Sequence, residues 1–271
     1  LSNIFPITAD AKISSILPLP LDESTWKDIF LIFVTSNGKI RKNSLSDFES
    51  IQANGKIAMK LEKDDQIISV KIVKKDEDVM FNTYSGKSLR INSGKIRLFK
   101  GRSSKGIKGI NLKKDDSVIS LTVLNHVKIS SDESKAYIKK SRKDDDDIED
   151  TNFEISQKKF DELKGKEEFI LTITENGYGK RSSSYEFRES GRGGQGIINI
   201  ITSERNGNVA ASYSVKNDDD IMLITNSGQM IRCKVSDIRI AGRNTQGVRI
   251  FKVEDNDKVV SSVCLSDETE E

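Results

Sequence analysis

Alternation of hydrophobic and polar positions defines one phrase that occurs four times in the chain. In the clearest copy, the apolar run Ile221 to Ile224 leads into the turn Thr225-Asn-Ser-Gly228, and an alternating stretch then ends at Arg232. Glycine adopts a positive φ at little steric cost, so an apolar run, a tight glycine turn and an alternating run are typical of a β-hairpin. The phrase therefore predicts two antiparallel strands joined at Gly228.

The other three copies of the phrase keep the same order. They turn at Thr35-Ser-Asn-Gly38, Thr83-Tyr-Ser-Gly86 and Thr174-Glu-Asn-Gly177. A second glycine closes each unit and precedes another short strand; these closing glycines are Gly55, Gly106, Gly196 and Gly247. Four short strands at a period of about 50 residues predict a propeller-like ring of four-stranded blades.

We therefore predict an all-β fold of four complete units, at about 21–70, 71–121, 122–212 and 213–263, with the end of a preceding unit at Ile4 to Ile7. The third unit is interrupted by a charged insertion at 128–168, which we expect to be a mobile loop with a short helix near 153–164. An acidic tail follows at 264–271. Two unrelated β-sandwiches with accidental turn matches are the alternative, disfavoured because three features keep one order and spacing.

Composition narrows the possible chemistry. The 271 residues are 35% hydrophobic and 32% charged, which indicates a thin core beneath a charged surface. With two cysteines and one histidine, the chain shows neither a disulfide framework nor a zinc motif, so we predict no metal site. It contains no apolar run long enough to span a membrane. Most carboxylates fall in predicted turns, and no catalytic constellation is predicted.

The net charge is only +2, from 44 basic and 42 acidic residues, so a basic surface requires segregation of charge. Basic residues recur at matching places after the turn glycines and around the closing glycines, and residues 79–114 contain no acidic residue. In a ring of similar blades, such positions predict a curved positive strip suited to DNA phosphates. The predicted DNA contacts are Arg41, Arg90, Lys95, Arg97, Arg102, Lys105, Lys108, Lys180, Arg181, Arg192, Arg232, Arg243 and Arg249.

Four longer motifs carry a family resemblance. They are Thr174-Glu-Asn-Gly-Tyr-Gly-Lys-Arg181, Gly191-Arg-Gly-Gly-Gln-Gly-Ile-Ile-Asn-Ile200, Asp220-Ile-Met-Leu-Ile-Thr225 and Gly242-Arg-Asn-Thr-Gln-Gly-Val-Arg249. Together they closely resemble the C-terminal domain of the A subunit of bacterial DNA gyrase, a type IIA topoisomerase. The resemblance implies a six-bladed β-pinwheel with strands exchanged between blades. The family's hallmark phrase, Gln-Arg-Arg-Gly-Gly-Lys-Gly in the first blade, is absent from this chain.

The resemblance also implies a function. Such a domain wraps double-stranded DNA around its basic rim, so that the whole enzyme can introduce negative supercoils. It is not itself catalytic and binds no cofactor, because the ATP and Mg²⁺ of the holoenzyme are bound elsewhere. The implied partners are the rest of the gyrase A subunit together with the gyrase B subunit, in an A2B2 assembly of the bacterial cytoplasm that is associated with the nucleoid.

Two alternatives stay open at the level of sequence. One is the related C-terminal domain of the topoisomerase IV A subunit, which binds DNA without the same wrapping. The other is a propeller that docks proteins, in which the recurring basic residues would form an ordinary solvated face.

Overall fold

The computed structural model describes residues 13–49, 55, 57–142, 153–254 and 256–265. Within these residues the strands are β1 (Phe30–Thr35), β2 (Lys39–Ser44), β3 (Ile67–Val73), β4 (Glu77–Thr83), β5 (Lys87–Asn92), β6 (Ile107–Lys108), β7 (Val118–Asn125), β8 (Phe169–Thr174), β9 (Tyr178–Ser183), β10 (Ile197–Ile198), β11 (Val209–Val215), β12 (Asp220–Thr225), β13 (Met230–Lys234), β14 (Val248–Arg249) and β15 (Val259–Leu265). The helices are α1 (Ser131–Ser141) and α2 (Gln157–Lys164), and 3₁₀ turns lie at Glu23–Asp28, Leu45–Phe48, Ser93–Lys95, Ser184–Glu186 and Val235–Asp237.

The strands form four antiparallel sheets in a ring, which confirms the predicted fold class. In the described part of the chain, blade 1 has the order β3-β1-β2-β6, blade 2 has β10-β5-β4-β7, blade 3 has β11-β8-β9-β14, and blade 4 has β13-β12-β15. Each predicted hairpin is the central pair of strands in a blade or, in blade 4, its outer pair. The predicted strand at Ile4 to Ile7 and the tail from residue 266 lie outside the described residues.

Neighbouring blades exchange their shortest strands. Strand β6 follows the hairpin of blade 2 but pairs with β2 of blade 1; likewise β10 pairs with β5, and β14 pairs with β9. The sequence units are therefore not the blades, since each unit from the second onward donates its short strand to the blade before it. Among the described strands, β13 of blade 4 receives no such partner.

The sheet order gives every blade an inner and an outer edge. Strands β3, β7, β11 and β15 contact one another in sequence order, so they line the middle of the ring. The exchanged strands lie at the opposite edge of each sheet, which places them on the outside. The core lies between blades: Val34 and Ile40 of blade 1 pack in one buried cluster with Phe81 and Leu89 of blade 2.

The closing glycines allow the exchange. Gly106, Gly196 and Gly247 have φ of 74°, 73° and 73°, and each passes directly over the backbone of the preceding blade. A Cβ on Gly196 would lie 2.7 Å from the Ser88 carbonyl oxygen, and the spaces at the other two are equally tight. Only glycine combines this φ with so close an approach between backbones.

Buried basic side chains hold each blade to the next one. Four residues after the turn glycine, Lys42 donates through Nζ to the carbonyl of Ser93 (2.9 Å), at the 3₁₀ turn of blade 2. The equivalent Arg90 donates to the Ser184 carbonyl (3.0 Å) in blade 3. Arg181 donates to the Ile238 carbonyl (2.7 Å) in blade 4. We call these three side chains the inter-blade cations; each is no more than 5% exposed.

A second layer of buried cations secures the closing phrases. Arg41, three residues after its turn glycine, donates through Nη1 to the Ser104 carbonyl (2.6 Å). Lys180, at the equivalent place in blade 3, donates to the Gly242 carbonyl and to Ser182 Oγ. Burial lowers the pKa of Lys180 to about 7, because removal from water disfavours the ammonium form.

The insertion is folded where the structure describes it, so the expectation of a mobile loop is wrong for α1 and α2. Tyr137 of α1 and Leu163 of α2 are buried against Tyr185, whose hydroxyl donates to the Leu163 carbonyl (2.8 Å). The predicted short helix is α2, whereas α1 was missed although its capping box, Ser130 with Glu133, is visible in the sequence. The acidic run Asp144 to Asp147 lies outside the described residues.

We expect Gly196→Ala to lower the free energy of unfolding of the 271-residue chain by about 2 kcal/mol or more, because it combines a left-handed φ with a backbone clash. The matched control is Gly191→Ala in the same phrase, where a Cβ meets no atom within 4 Å; its effect should stay within about 0.5 kcal/mol. Urea unfolding measures both, and equal losses would contradict this account of the exchange.

Arg181→Met should cost about 2–3 kcal/mol, since it leaves the buried carbonyl of Ile238 in blade 4 without its charged donor. Arg232→Met removes the arginine at the equivalent place in blade 4. There the side chain is 64% exposed and paired with Asp220, so the loss should stay below about 1 kcal/mol. Denaturant unfolding of the two variants tests the difference, and similar losses would argue against inter-blade bonding.

Lys180 predicts a pH dependence of stability. Between pH 7 and about 10, the unfolded chain keeps this lysine protonated while the folded chain releases the proton, so the free energy of unfolding rises with pH. Lys180→Met should remove this rise, whereas Lys71→Met, at an exposed lysine of β3, should retain it. Parallel stability–pH curves for the native chain and Lys180→Met would show that Lys180 has an ordinary pKa.

Candidate nucleic-acid interface

The exchanged strands bring the closing phrases to the outer edge of the ring. Arg192 donates through Nη1 to the carbonyl of Lys108 (3.3 Å), in the exchanged strand of blade 1. Arg243 repeats this contact with the carbonyl of Ile198 (3.1 Å), in the exchanged strand of blade 2. Two arginines that are far apart in sequence therefore occupy equivalent places on neighbouring blades, as the repeat predicted.

The basic residues of the closing phrases and exchanged strands together form what we call the rim strip. Its members are Arg102, Lys105, Lys108, Arg192, Arg243 and Arg249. All are exposed or half-buried. Arg102 stacks over the Phe48 ring, with 5.8 Å between the guanidinium carbon and the ring centroid, and Lys105 lies 3.5 Å from Glu62. The strip thus presents its charges along one edge, with a local carboxylate near Lys105.

A depression at the junction of blades 1 and 2 extends the positive surface. Lys75, Lys95, Arg97 and Arg192 line it, together with apolar side chains and the end of the Lys42 side chain. Its described lining contains no acidic residue. Lys95 also pairs with Glu189, and Arg97 stacks over the Phe99 ring (5.3 Å). The predicted contacts Lys95 and Arg97 are therefore beside the rim strip, where a polyanion can reach them.

Four predicted DNA contacts are corrected by the structure: Arg41, Arg90, Lys180 and Arg181. Each is 0–5% exposed. Arg90 and Arg181 donate to carbonyl oxygens of the next blade, and Arg41 and Lys180 donate to carbonyl oxygens of the closing phrases. Burial against peptide carbonyls, joined by the Asp78 carboxylate in the case of Arg90, keeps these side chains out of reach of a phosphate. They hold the blades together instead.

Arg232 is the exposed exception at this repeat position. Its guanidinium bonds to Asp220 (Nε to Oδ2, 2.6 Å), as Arg90 does to Asp78, but it contacts no following blade among the described residues. It lies on β13, away from the closing phrases. Arg232 is accessible, but the structure does not place it in the rim strip.

Among the accessible basic residues that the sequence prediction omitted, Lys75 lines the depression beside Lys95, and Arg205 lies against the same tyrosine as Arg249. Lys75 precedes β4 and recurs in the repeat, because Lys27 and Lys166 lie at the same distance before their own turn glycines. Arg205 lies in the loop before β11, which is one residue longer than the corresponding loops: Gly196 to Val209 compared with Gly106 to Val118 and Gly247 to Val259. The extra residue is visible in the sequence and could have drawn attention to Arg205.

The described residues contain no group of three or more His, Cys, Asp or Glu side chains that could hold a metal ion. In the same residues, neither helix has the length and hydropathy to cross a membrane. The lone His126 contacts the buried Asp78 (3.0 Å), next to Arg90, and so belongs to the support of an inter-blade cation.

Comparison with known proteins agrees with this geometry. A family described as "DNA gyrase C-terminal domain, beta-propeller" matches residues 30–74, 77–125, 168–215 and 219–266. The DNA gyrase A subunit of Rickettsia bellii is 43% identical over 99% of this chain, and that of Granulibacter bethesdensis is 41% identical over 100% of it. The chain spans 31% of the length of each of these two relatives.

Two solved structures share the fold. The C-terminal domain of DNA topoisomerase IV superposes with a TM-score of 0.74 at 22% identity, covering 97% of this chain and 69% of that one. The DNA gyrase A C-terminal domain gives 0.67 at 23% identity, covering 96% and 76%. At such identities the likeness shows the fold alone, whereas the family match, which covers most of the chain, shows the family. The chain belongs to the DNA gyrase C-terminal domain family.

Proposed function

We propose that this chain is the DNA-binding and DNA-wrapping module of the DNA gyrase A subunit. The observation that supports this proposal is the rim strip, in which strand exchange brings basic residues from successive units onto one outer edge. Duplex DNA carries about one negative charge per 1.7 Å of its axis, so a curved row of cations can follow its backbone. The chain contributes no reaction centre in this proposal.

Wrapping requires the contacts to offset the cost of bending. Smooth bending of a site of 20–30 base pairs costs on the order of 1–6 kcal/mol, which several phosphate contacts can exceed. The anchoring of Arg192 and Arg243 on backbone carbonyls supports this role, because part of their side-chain freedom is already lost before DNA binds. Neighbouring blades turn successive anchors around the ring, so DNA that follows them bends.

The contacts favour the phosphate backbone over base edges. The rim cations belong to short strands and loops, whereas the element that usually reads base edges in the major groove is a helix. Contacts to phosphates position a protein on DNA without reading base edges, so we expect little sequence preference. In the complete protein, this module acts beside the remainder of the gyrase A subunit, with the gyrase B subunit completing an A2B2 assembly, in the bacterial cytoplasm at the nucleoid. ATP and Mg²⁺ bind outside this chain.

We expect the triple change Arg102→Glu, Arg192→Glu and Arg243→Glu to weaken duplex binding and to reduce the slope of log K against log salt by about three. The matched control is Lys71→Glu, Lys128→Glu and Lys216→Glu, three exposed lysines outside the closing phrases, with the same change in net charge. Fluorescence anisotropy over a salt series measures both. Equal losses of affinity in the two variants would show that the effect comes from net charge and not from the rim strip. An unchanged affinity of the rim variant would favour a protein-docking propeller.

A further inference from the structure

One cluster on blade 3 has no equivalent in the other described blades. The hydroxyl of Tyr178 accepts hydrogen bonds from Arg249 Nη2 (2.9 Å) and Arg205 Nε (3.3 Å). Both guanidinium groups also lie over the Tyr178 ring, 5.3 and 5.0 Å from its centroid respectively. Two cations are thus held on one phenol, and the arginine side chains themselves are exposed.

Secondary structure fixes the first of these arginines. Arg249 lies in the exchanged strand β14 and is paired with Tyr178 of β9 in the antiparallel register. That strand is the outer edge of blade 3, and Lys108 occupies the equivalent place on blade 1, two residues after the closing glycine. Arg249 therefore belongs to the rim strip by position as well as by charge.

A network of amides fixes the second arginine. Asn206 is fully buried, and its Nδ2 donates to the carbonyls of Ile201 (2.9 Å) and Gln246 (3.1 Å). Asn176, in the hairpin turn of blade 3, donates to the carbonyls of Glu204 and Arg205, both at 3.1 Å. The loop that carries Arg205 is thereby held to the hairpin and to the next closing phrase before any ligand arrives.

This loop replaces a carboxylate that the other blades share. Asp65, Asp116 and Asp257 each accept hydrogen bonds from a serine of their hairpin turn. The turn of blade 3 has no serine, and its Asn176 side chain bonds instead to backbone carbonyls of the loop. The aspartate that bonds to the hairpin turn in the other three blades therefore has no counterpart in the contact between this loop and the turn of blade 3. The same loop carries Arg205 at the surface.

The two guanidinium groups are suited to an anion. In the part of the chain that the structure describes, neither is within ion-pair distance of a carboxylate; the nearby Glu175 is engaged by Lys258 (3.2 Å) and by the Tyr84 hydroxyl (3.0 Å). Each arginine uses one nitrogen on the phenol and keeps other N–H donors for a ligand. A guanidinium fork matches phosphate geometry, and an anion between two cations relieves their repulsion.

We propose that Tyr178, Arg205 and Arg249 form a clamp for one backbone phosphate of duplex DNA at the outer edge of blade 3. The clamp rests on the proposed function, because it lies on the path of DNA along the rim strip. Tyr178 orients both arginines through its ring and hydroxyl, and the arginines bind the phosphate. The clamp makes blade 3 a fixed point on the wrapped path.

The test measures duplex affinity of the 271-residue chain over a salt series, for Arg205→Gln, Arg249→Gln and the double variant. Loss of the clamp should weaken binding roughly five- to tenfold at about 0.1 M salt and reduce the log–log slope by about one. Because both arginines hold one phosphate, the double variant should also lose about one unit of slope. Tyr178→Phe should weaken binding less and leave the slope nearly unchanged, since both charges remain.

The control is Lys71→Gln, which removes one exposed charge from the inner strand β3 and should leave affinity unchanged. If Arg205→Gln behaves like this control while the triple rim variant still binds weakly, the clamp is wrong and the proposed function stands. A slope reduced by about two in the double variant would show two separate contacts and overturn the shared clamp. If the triple rim variant also binds normally, the proposed function itself fails.

Discussion

The architecture depends on a basic side chain buried in peptide carbonyls of the neighbouring blade. A charged group removed from water is costly unless polar partners replace its hydration. Lys42, Arg90 and Arg181 meet this requirement at the 3₁₀ turn of the next blade, and Arg90 also has the carboxylate of Asp78. Because these bonds need a fixed direction and distance, they align one blade on the next, which apolar packing alone does much less strictly.

The positive edge of this nearly neutral chain arises in spite of the same constraint, which removes several cations from the surface. Several of its cations are structural and lie inside, whereas the acidic side chains Asp65, Asp116 and Asp257 are engaged at the hairpin turns. The closing phrases are left as the place where cations meet solvent on the outer edge. Local segregation, and not the net charge of +2, therefore sets the field that a polyanion meets.

Sequence could predict the hairpins and closing glycines because both depend on local chemistry: a turn needs a positive φ, and a strand needs alternating or continuous apolar residues. It could not separate Arg181, which is buried, from Arg232, which is exposed, although both lie four residues after a turn glycine. The difference arises from whether a following blade covers the site. That is a property of how the blades stack, and nothing in the local phrase records it.

The rim arginines Arg102, Arg192 and Arg243 were predictable because the closing glycine requires the phrase to pass over the edge of the preceding blade, where a long side chain reaches solvent. Strand exchange itself had no local signature, because a strand as short as β6 (Ile107–Lys108) does not specify its partner by its own sequence.

Blade 3 shows how a repeat acquires a local specialisation without losing its scaffold. Its central strands, turn glycine and closing glycine follow the common pattern, so the sheet needs no other support. The loop before β11 is then free to change, provided that its backbone groups keep partners, and Asn176 and Asn206 supply them. The hydrogen bonds of this loop hold Arg205 against Tyr178, although the sheet does not need that charge for its own stability. A ligand that binds the charge explains why the loop orders it.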